Sequence, residues 1–257
     1  MPPTSLHLPT IMATLALTAV TVTHTAQAAK LCYDDVEQFP WVLKDGRGLA
    51  VELLEIASKK TGVTYELVAL PWKRCLMEVE KGEVAGAFPA SFSEERAKFA
   101  AYPMTDNKPD AEKRLNTDGY TLYRLKGNNV SWDGSKFSNL TGPIGTQASY
   151  SIIPDLIKWG AKVDTQTRKP ETLMRALVDG HLQSVALLTG QGSYTLKNPA
   201  YAGKVEAVDP PLVSKPYYLI ISKEHYEKNR KSIDALWTAI ATERNSAQYK
   251  AKVATMN

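Results

Sequence analysis

Thiols and imidazoles are scarce in this chain, which has two cysteines and four histidines in 257 residues. A closed zinc site needs four ligands. Once the amino-terminal segment discussed below is set aside, only His181 and His225 remain, far apart, so two cysteines and two distant histidines do not assemble a metal site. Charge is also unremarkable, because 31 basic against 27 acidic residues leave +4 and no block of five like charges occurs. That is too mild to argue for a nucleic-acid partner. No G-x-S-x-G elbow, H-E-x-x-H pair or phosphate-cradling glycine loop is present, and no cofactor is expected. There is no short-period repeat and no low-complexity tract. What is present is ordinary globular composition, 44% apolar and 23% charged, enough for one large domain or two lobes that fold without staples.

The longest uncharged, mostly apolar run is "IMATLALTAVTVT" at 11–23. It falls short of the roughly 20 residues of a membrane span. It is followed by "HTAQAA", in which Ala26 and Ala28 supply the small residues of an A-x-A site. Residues 1–28 therefore read as a secretory signal peptide cut after Ala28, although no Lys or Arg precedes the apolar core. The alternative is an apolar tail on a cytosolic protein. Cys32 is preceded by "AKL", which lacks the small residue that lipid attachment needs. In an oxidising compartment Cys32 and Cys75 are expected to form a disulfide worth ~3 to 4 kcal/mol, the alternative being two separate buried thiols.

Strands and helices alternate along the mature chain. "KLCYD" is a short strand, and "GLAVELLEIASKKTG" places Leu49, Leu53, Ile56 and Ala57 on one helical face before a glycine stop. "TYELVAL", "PWKRCLMEVEKGE" and "VAGAF" continue a βαβαβ pattern, which implies a mostly parallel sheet with helices on its faces. The polar segment 104–118 reads as a loop and "GYTLYRL" as an extended strand. The rhythm then restarts with strand "PIGT", helices "PDLIKWG" and "ETLMRALVDG", and strand "QSVALL". A second extended stretch, "KPYYLIIS" at 215–222, precedes a long helix from about 224 with an apolar stripe of Ile233, Leu236, Trp237 and Ile240. "WDG" at 132–134 reads as a turn. The reading is an α/β chain of two lobes joined by two crossings, with residues 29–120 and 218–257 in lobe I and 121–217 in lobe II.

Arg96 closes the stretch "GEVAGAFPASFSEER" just beyond a strand's carboxyl end. Ligands of open α/β sheets sit there, and helix amino-termini favour anions. A guanidinium matches a carboxylate with two parallel hydrogen bonds. Ser91 and Ser93 stand beside it, and Thr146 and Gln147 are expected to open a helix facing it from lobe II. Each has a plain alternative: Arg96 a surface cation beside Glu94 and Glu95, Thr146 a helix cap. Asp34 ends the first strand, where an Asx turn is the alternative to a ligand contact. Phe39, Trp41 and Trp72 offer flat walls or simply core aromatics. Arg74 is a second candidate cation or a solvated helical one.

The run at 82–103, the first strand ending in "YDD", the following "FPWVLKDGRG", and the later "PIGTQASYS", "ETLMRALVDGHLQSVAL" and "PYYLIISKEH" together resemble periplasmic solute-binding proteins of ABC importers. The likeness is to the polar amino-acid family with the type II fold, and it spans 30–257. The resemblance implies that Arg96 holds the carboxylate of a small solute, that the hydroxyls and Thr146 and Gln147 assist, and that a monomer in the periplasm closes on its ligand and presents itself to ABC transporter membrane subunits. A membrane sensor is the alternative partner. Ala85 and Gln183 stand where the family commonly has Asp, and no carboxylate occurs from Ser184 to Tyr194, where the family binds an ammonium. An organic acid thus fits at least as well as an amino acid, unless Asp34 or Asp35 supplies the charge. The expected protein is not an enzyme. A dehydratase-like enzyme on the same scaffold is the rival, with Asp34 as its one cleft acid.

Overall fold

The structure, a computed structural model, describes residues 28–256, so the expected leader lies outside the described residues except for Ala28. The chain opens with β1 (Ala29–Asp34), α1 (Leu49–Thr61), β2 (Tyr65–Leu70), α2 (Trp72–Lys81) and β3 (Gly86–Ser91), the βαβαβ unit that the apolar periodicity predicts. Local chemistry sets the boundaries. α2 starts behind Pro71, which cannot continue a helix backwards, and ends at Gly82, whose φ of 73° and backbone N–H close the last turn onto Glu78 O and Val79 O.

A single-turn α3 (Glu94–Ala97) and β4 (Ala100–Ala101) follow. The polar stretch expected to be loop instead holds a hairpin of β5 (Met104–Thr105) and β6 (Lys108–Pro109), then a 3-10 turn at Ala111–Lys113. Asp106 and Asn107 take left-handed φ values of 50° and 60°, which a two-residue hairpin turn requires and these side chains tolerate. The last residues of that stretch already belong to β7 (Asn116–Leu125). A small hairpin of β8 (Ser131–Trp132) and β9 (Phe137–Ser138) turns at "WDG". Then come β10 (Ile144–Gly145), α4 (Ile153–Lys158), β11 (Val163–Asp164), α5 (Pro170–Val178), β12 (Ser184–Leu188) and α6 (Thr189–Thr195). The chain ends with β13 (Val205–Ser222), α7 (Lys223–Arg244) and α8 (Ala247–Met256).

Among the described residues nine strands form one sheet in the order β11-β10-β12-β7-β13-β3-β1-β2, with β4 on β13. Both ends are parallel: β1 pairs with β2 and β3, and β10 with β11 and β12. The two long strands between them, β7 and β13, run antiparallel to each other and to β12 and β3 respectively. They are the crossings, so each parallel block with its helices forms one lobe. β13 is longer than the stretch 215–222 suggests. Its Pro210 and Pro211 look like strand breakers, but they fall where the ladder with β7 shifts register between Val208 and Val213, so the missing N–H groups cost no sheet bond.

The first lobe's core lies under α1 and α7, where Leu49, Leu53, Ile233, Leu236, Trp237 and Ile240 are buried together. Trp237 also donates its indole N–H to Leu219 O at 2.9 Å, so its polar atom is not orphaned in that core. The expected single terminal helix is two, because α8 restarts after Asn245 with Ser246 Oγ accepting the Tyr249 N–H. A further correction concerns Thr146 and Gln147, which open no helix; α4 begins only at Ile153. The Thr146 N–H donates to Asp164 O and its hydroxyl to Ala186 O, which ties both groups into the sheet.

Cys32 and Cys75 are bonded, Cα to Cα 5.7 Å, tying the centre of β1 to the first turn of α2. Closing a loop of 43 residues removes chain entropy worth about 4 kcal/mol from the unfolded state. Cys75→Ser or full reduction is expected to lower the unfolding free energy by about that amount in urea titrations monitored by Trp fluorescence. A change below about 1 kcal/mol would show that the bridge does not constrain the unfolded ensemble.

Candidate functional site

The site is assembled at the strand ends where the lobes meet. β3 is buried along its whole length and ends at Ser91; two residues later Ser93 caps α3 by accepting the Arg96 N–H on Oγ. This capped turn carries the Arg96 side chain back over the strand end, where the residue is only 6% exposed. Its guanidinium donates from Nη1 to Ser91 O at 2.9 Å and Ser91 Oγ at 3.3 Å, and from Nη2 to Ser149 O at 3.0 Å. Trp72, at the start of α2, lies with its ring centroid 5.4 Å from the guanidinium carbon, a cation–π contact. Every hydrogen-bond partner of this buried cation among the described residues is a neutral oxygen.

The second lobe reaches the site through the loop between β10 and α4 and through Leu188 at the end of β12. Ser149 takes a left-handed φ of 65°, which turns its carbonyl toward Arg96. Ser151 shares a 2.6 Å hydrogen bond with Ser91 Oγ. Between them Tyr150 donates its hydroxyl to Asp34 Oδ2 at 2.7 Å and accepts the Gln38 and Gln147 side-chain amides, both at 3.2 Å. Asp34 Oδ1 accepts the Val36 N–H, so both of its oxygens are engaged. The chamber enclosed by Arg96, Ser91, Trp72, Tyr150, Ser151 and Leu188 measures about 10 Å³, room for one water. Pro89, Gln38 and the crossing-strand residues Tyr120 and Tyr217 complete its wall.

A larger recess of about 270 Å³ opens between the same lobes, lined by Asp35, Glu37, Phe39 and Lys44 on one side and Lys169, Gln191 and Tyr194 on the other. Arg168 crosses the gap to Asp35 at 2.7 Å, and Phe39 stacks on Tyr194 with centroids 4.9 Å apart. Gly190 makes this approach possible, since a Cβ there would lie 2.3 Å from Phe39 O.

Of the residues expected at the site, Arg96, Ser91, Trp72, Asp34 and Gln147 converge on this junction. Ser93 is committed to capping α3. Thr146 is fully buried in the sheet. Trp41 does not line the chamber; it packs against the first lobe's core, and its indole N–H faces Asp118 on β7. Arg74 points outward, its side chain 66% exposed and paired with Glu78 at 2.7 Å one helical turn on, where solvation outweighs any cleft role. Tyr150, Ser149, Ser151 and Arg168 were missed. "ASYS" directly after a strand end was the one local signal for the first three; nothing near Arg168 marks it.

No protein-family model matches the chain, and no curated protein sequence matches it. Solved structures do. An ancestral arginine-binding protein bound to arginine superposes with a TM-score of 0.70, covering 90% of this chain and 98% of that one. A histidine kinase sensor domain with similarity to periplasmic binding proteins gives 0.71, covering 89% and 95%. The GluR0 ligand-binding core from Nostoc punctiforme, in complex with L-glutamate, gives 0.69 and covers 89% and 98%. Each is 16% identical to this chain. The chain therefore has the two-lobed type II periplasmic-binding-protein fold.

Burial lifts the Asp34 carboxyl from about 3.8 to about 6, despite the opposing hydrogen bonds from Tyr150 and Val36. Between those two values the folded state holds a proton that the unfolded chain has released, so this group's contribution to stability falls as pH rises. Asp34→Asn stays neutral throughout. Its stability relative to the wild type is expected to rise from pH 4 to 6.5 by up to about 3 kcal/mol in urea titrations at matched pH. A flat difference would mean that the carboxyl is not held in its protonated form.

Proposed function

We propose that this chain is an exported solute-binding protein that captures a small carboxylate between its lobes and delivers it to the membrane subunits of an ABC importer. The observation that carries this reading is Arg96: a guanidinium buried at the lobe junction, backed by Trp72, whose partners are neutral oxygens. Burying a charge is costly unless an opposite charge meets it, and a carboxylate on this fork would supply two charge-assisted hydrogen bonds. The disulfide and the apolar leader support an oxidising, extracytoplasmic location, and the fold supports capture of a small solute.

A solute does not fit in 10 Å³, so uptake begins with the lobes apart. Opening breaks the contacts of Arg96 with Ser149 O, of Ser91 with Ser151, and of Asp34 with Tyr150. The carboxylate then docks on Arg96, and the lobes swing back about the two crossings, near 120/121 and 217/218, in the hinge closure known for periplasmic binding proteins. The protein acts as a monomer and needs no cofactor.

Two other readings use the same closure. A sensory module would present the closed form to a membrane receptor, as the resemblance to a histidine kinase sensor domain suggests; labelled-solute uptake by cells lacking the protein separates import from sensing. An enzyme would use Asp34, a cleft acid lifted to about 6, for proton transfer. Its hydrogen bonds to Tyr150 and Val36 favour a structural latch instead, and turnover of candidate acids by the pure protein decides between them.

Arg96→Ala is expected to weaken carboxylate binding at least 100-fold, about 2.7 kcal/mol, in calorimetric titrations of the mature protein. Arg96→Lys should recover only part, because a point charge cannot make the bidentate contact. Unchanged affinity in Arg96→Ala would remove the anchor from the mechanism.

A further inference from the structure

We infer that the captured solute is a carboxylate without an ammonium group, a 2-oxo, 2-hydroxy or unsubstituted acid with a short apolar tail, and that Leu188 sets this preference. This rests on Arg96 as the carboxylate anchor. The chamber wall carries one formal charge, the guanidinium, and no Asp or Glu among the described residues that line it. One negative charge on the guest neutralises it. An ammonium would bring a second positive charge into the same enclosed space.

None of the carboxylates that the fold brings to the lobe junction lines the chamber: Glu37 lies in the larger recess and accepts the Lys44 N–H at 3.2 Å. With the lobes closed, Asp34 spends one oxygen on the Tyr150 hydroxyl and the other on the Val36 N–H, and it is not among the residues that line the chamber. Asp35 is paired with Arg168, and Asp155 with Lys215 Nζ at 2.6 Å. Asp118 accepts the Gly119 N–H at 2.7 Å and faces the Trp41 indole. At the carboxyl end of β12, the second-lobe position that faces the chamber is Leu188, 2% exposed. With Trp72 and Pro89 it makes the wall apolar, which suits a hydrocarbon tail and leaves an ammonium without an acceptor.

Leu188 has extended backbone angles and immediately precedes α6, the cap position at which Asp is a favoured residue. Leu188→Asp is thus compatible with the local backbone while adding the missing anion. Leu188→Asn, of the same shape and without charge, controls for the loss of packing.

The test is a calorimetric and thermal-shift series on the wild-type mature protein with matched compounds: pyruvate, lactate and propionate against alanine; 4-methyl-2-oxovalerate and 4-methylvalerate against leucine; phenylpyruvate, phenyllactate and phenylpropionate against phenylalanine. The expected result is binding of at least one acid, with its amino counterpart at least 100-fold weaker. In Leu188→Asp, and not in Leu188→Asn, that ratio should fall at least tenfold. An amino acid that binds as tightly as its deaminated partner overturns the inference. If that binding is still lost in Arg96→Ala, carboxylate capture survives the failure; if it persists, both fall. Absence of binding across both series also overturns it. Should Leu188→Asp fail to fold, the wild-type ratios decide alone.

Discussion

A guanidinium removed from water with only neutral oxygens around it is the constraint on which the rest of this molecule turns. Arg96 reaches that position because a fully buried strand delivers Ser91 to the lobe junction and a serine cap bends the next turn back over it. The surroundings then follow a single logic. Backbone carbonyls from both lobes satisfy the donors, an indole face lies under the cation, and carboxylates are kept occupied elsewhere. A structural arginine would be expected to meet an acidic partner within the protein, as Arg168 does with Asp35 and Arg124 with Glu206. Arg96 meets no acidic partner among the described residues.

The lobe interface is built from interactions that are easily exchanged. Beside the charge-assisted bond from Arg96 to Ser149 O, which contributes about 1.5 to 3 kcal/mol, Ser91 to Ser151 and Gln191 to Glu37 O link neutral groups that water would serve about as well, so each contributes on the order of 1 kcal/mol. The Asp34–Tyr150 contact is of the same kind so long as the carboxyl is protonated. One ion pair, Arg168 to Asp35, also spans the gap, but both side chains are partly exposed and solvent screens it, so the two states can lie within a few kcal/mol of each other. Gly190 and Ser149 add the geometry, one by permitting close approach of Phe39 and the other by aiming a carbonyl across the gap.

The first lobe was largely legible because its signals are local. Apolar spacing marked α1, Pro71 and Gly82 bracketed α2, and the pair of cysteines found each other as an oxidising context predicts. Arg96 was legible for the same reason, since strand end, cap and cation fall within six residues. Thr146 was misread because cap propensity is a weak prior: its N–H and hydroxyl are claimed by strands 18 and 40 residues away. The latch between Asp34 and Tyr150 joins positions 116 apart, and no periodicity or turn rule reports such a pairing. Leu188 was visible only as a gap in the acidic residues; that it faces the chamber depends on how β12 is placed beside β7. The prolines of β13 run against the usual strand preference, and a register shift leaves their missing donors without a ladder partner.

β7 and β13 are hydrogen-bonded to each other from Leu125 and Val205 at one end to Asn116 and Tyr217 at the other. A bend in one connection is therefore shared by the other, which favours a concerted rotation of the two halves over independent flexing. The distance between any point on one half and any point on the other becomes a gauge of that one angle. On the proposed role, a membrane partner would need to touch only two places, one per half, to read that angle, without contacting the solute inside.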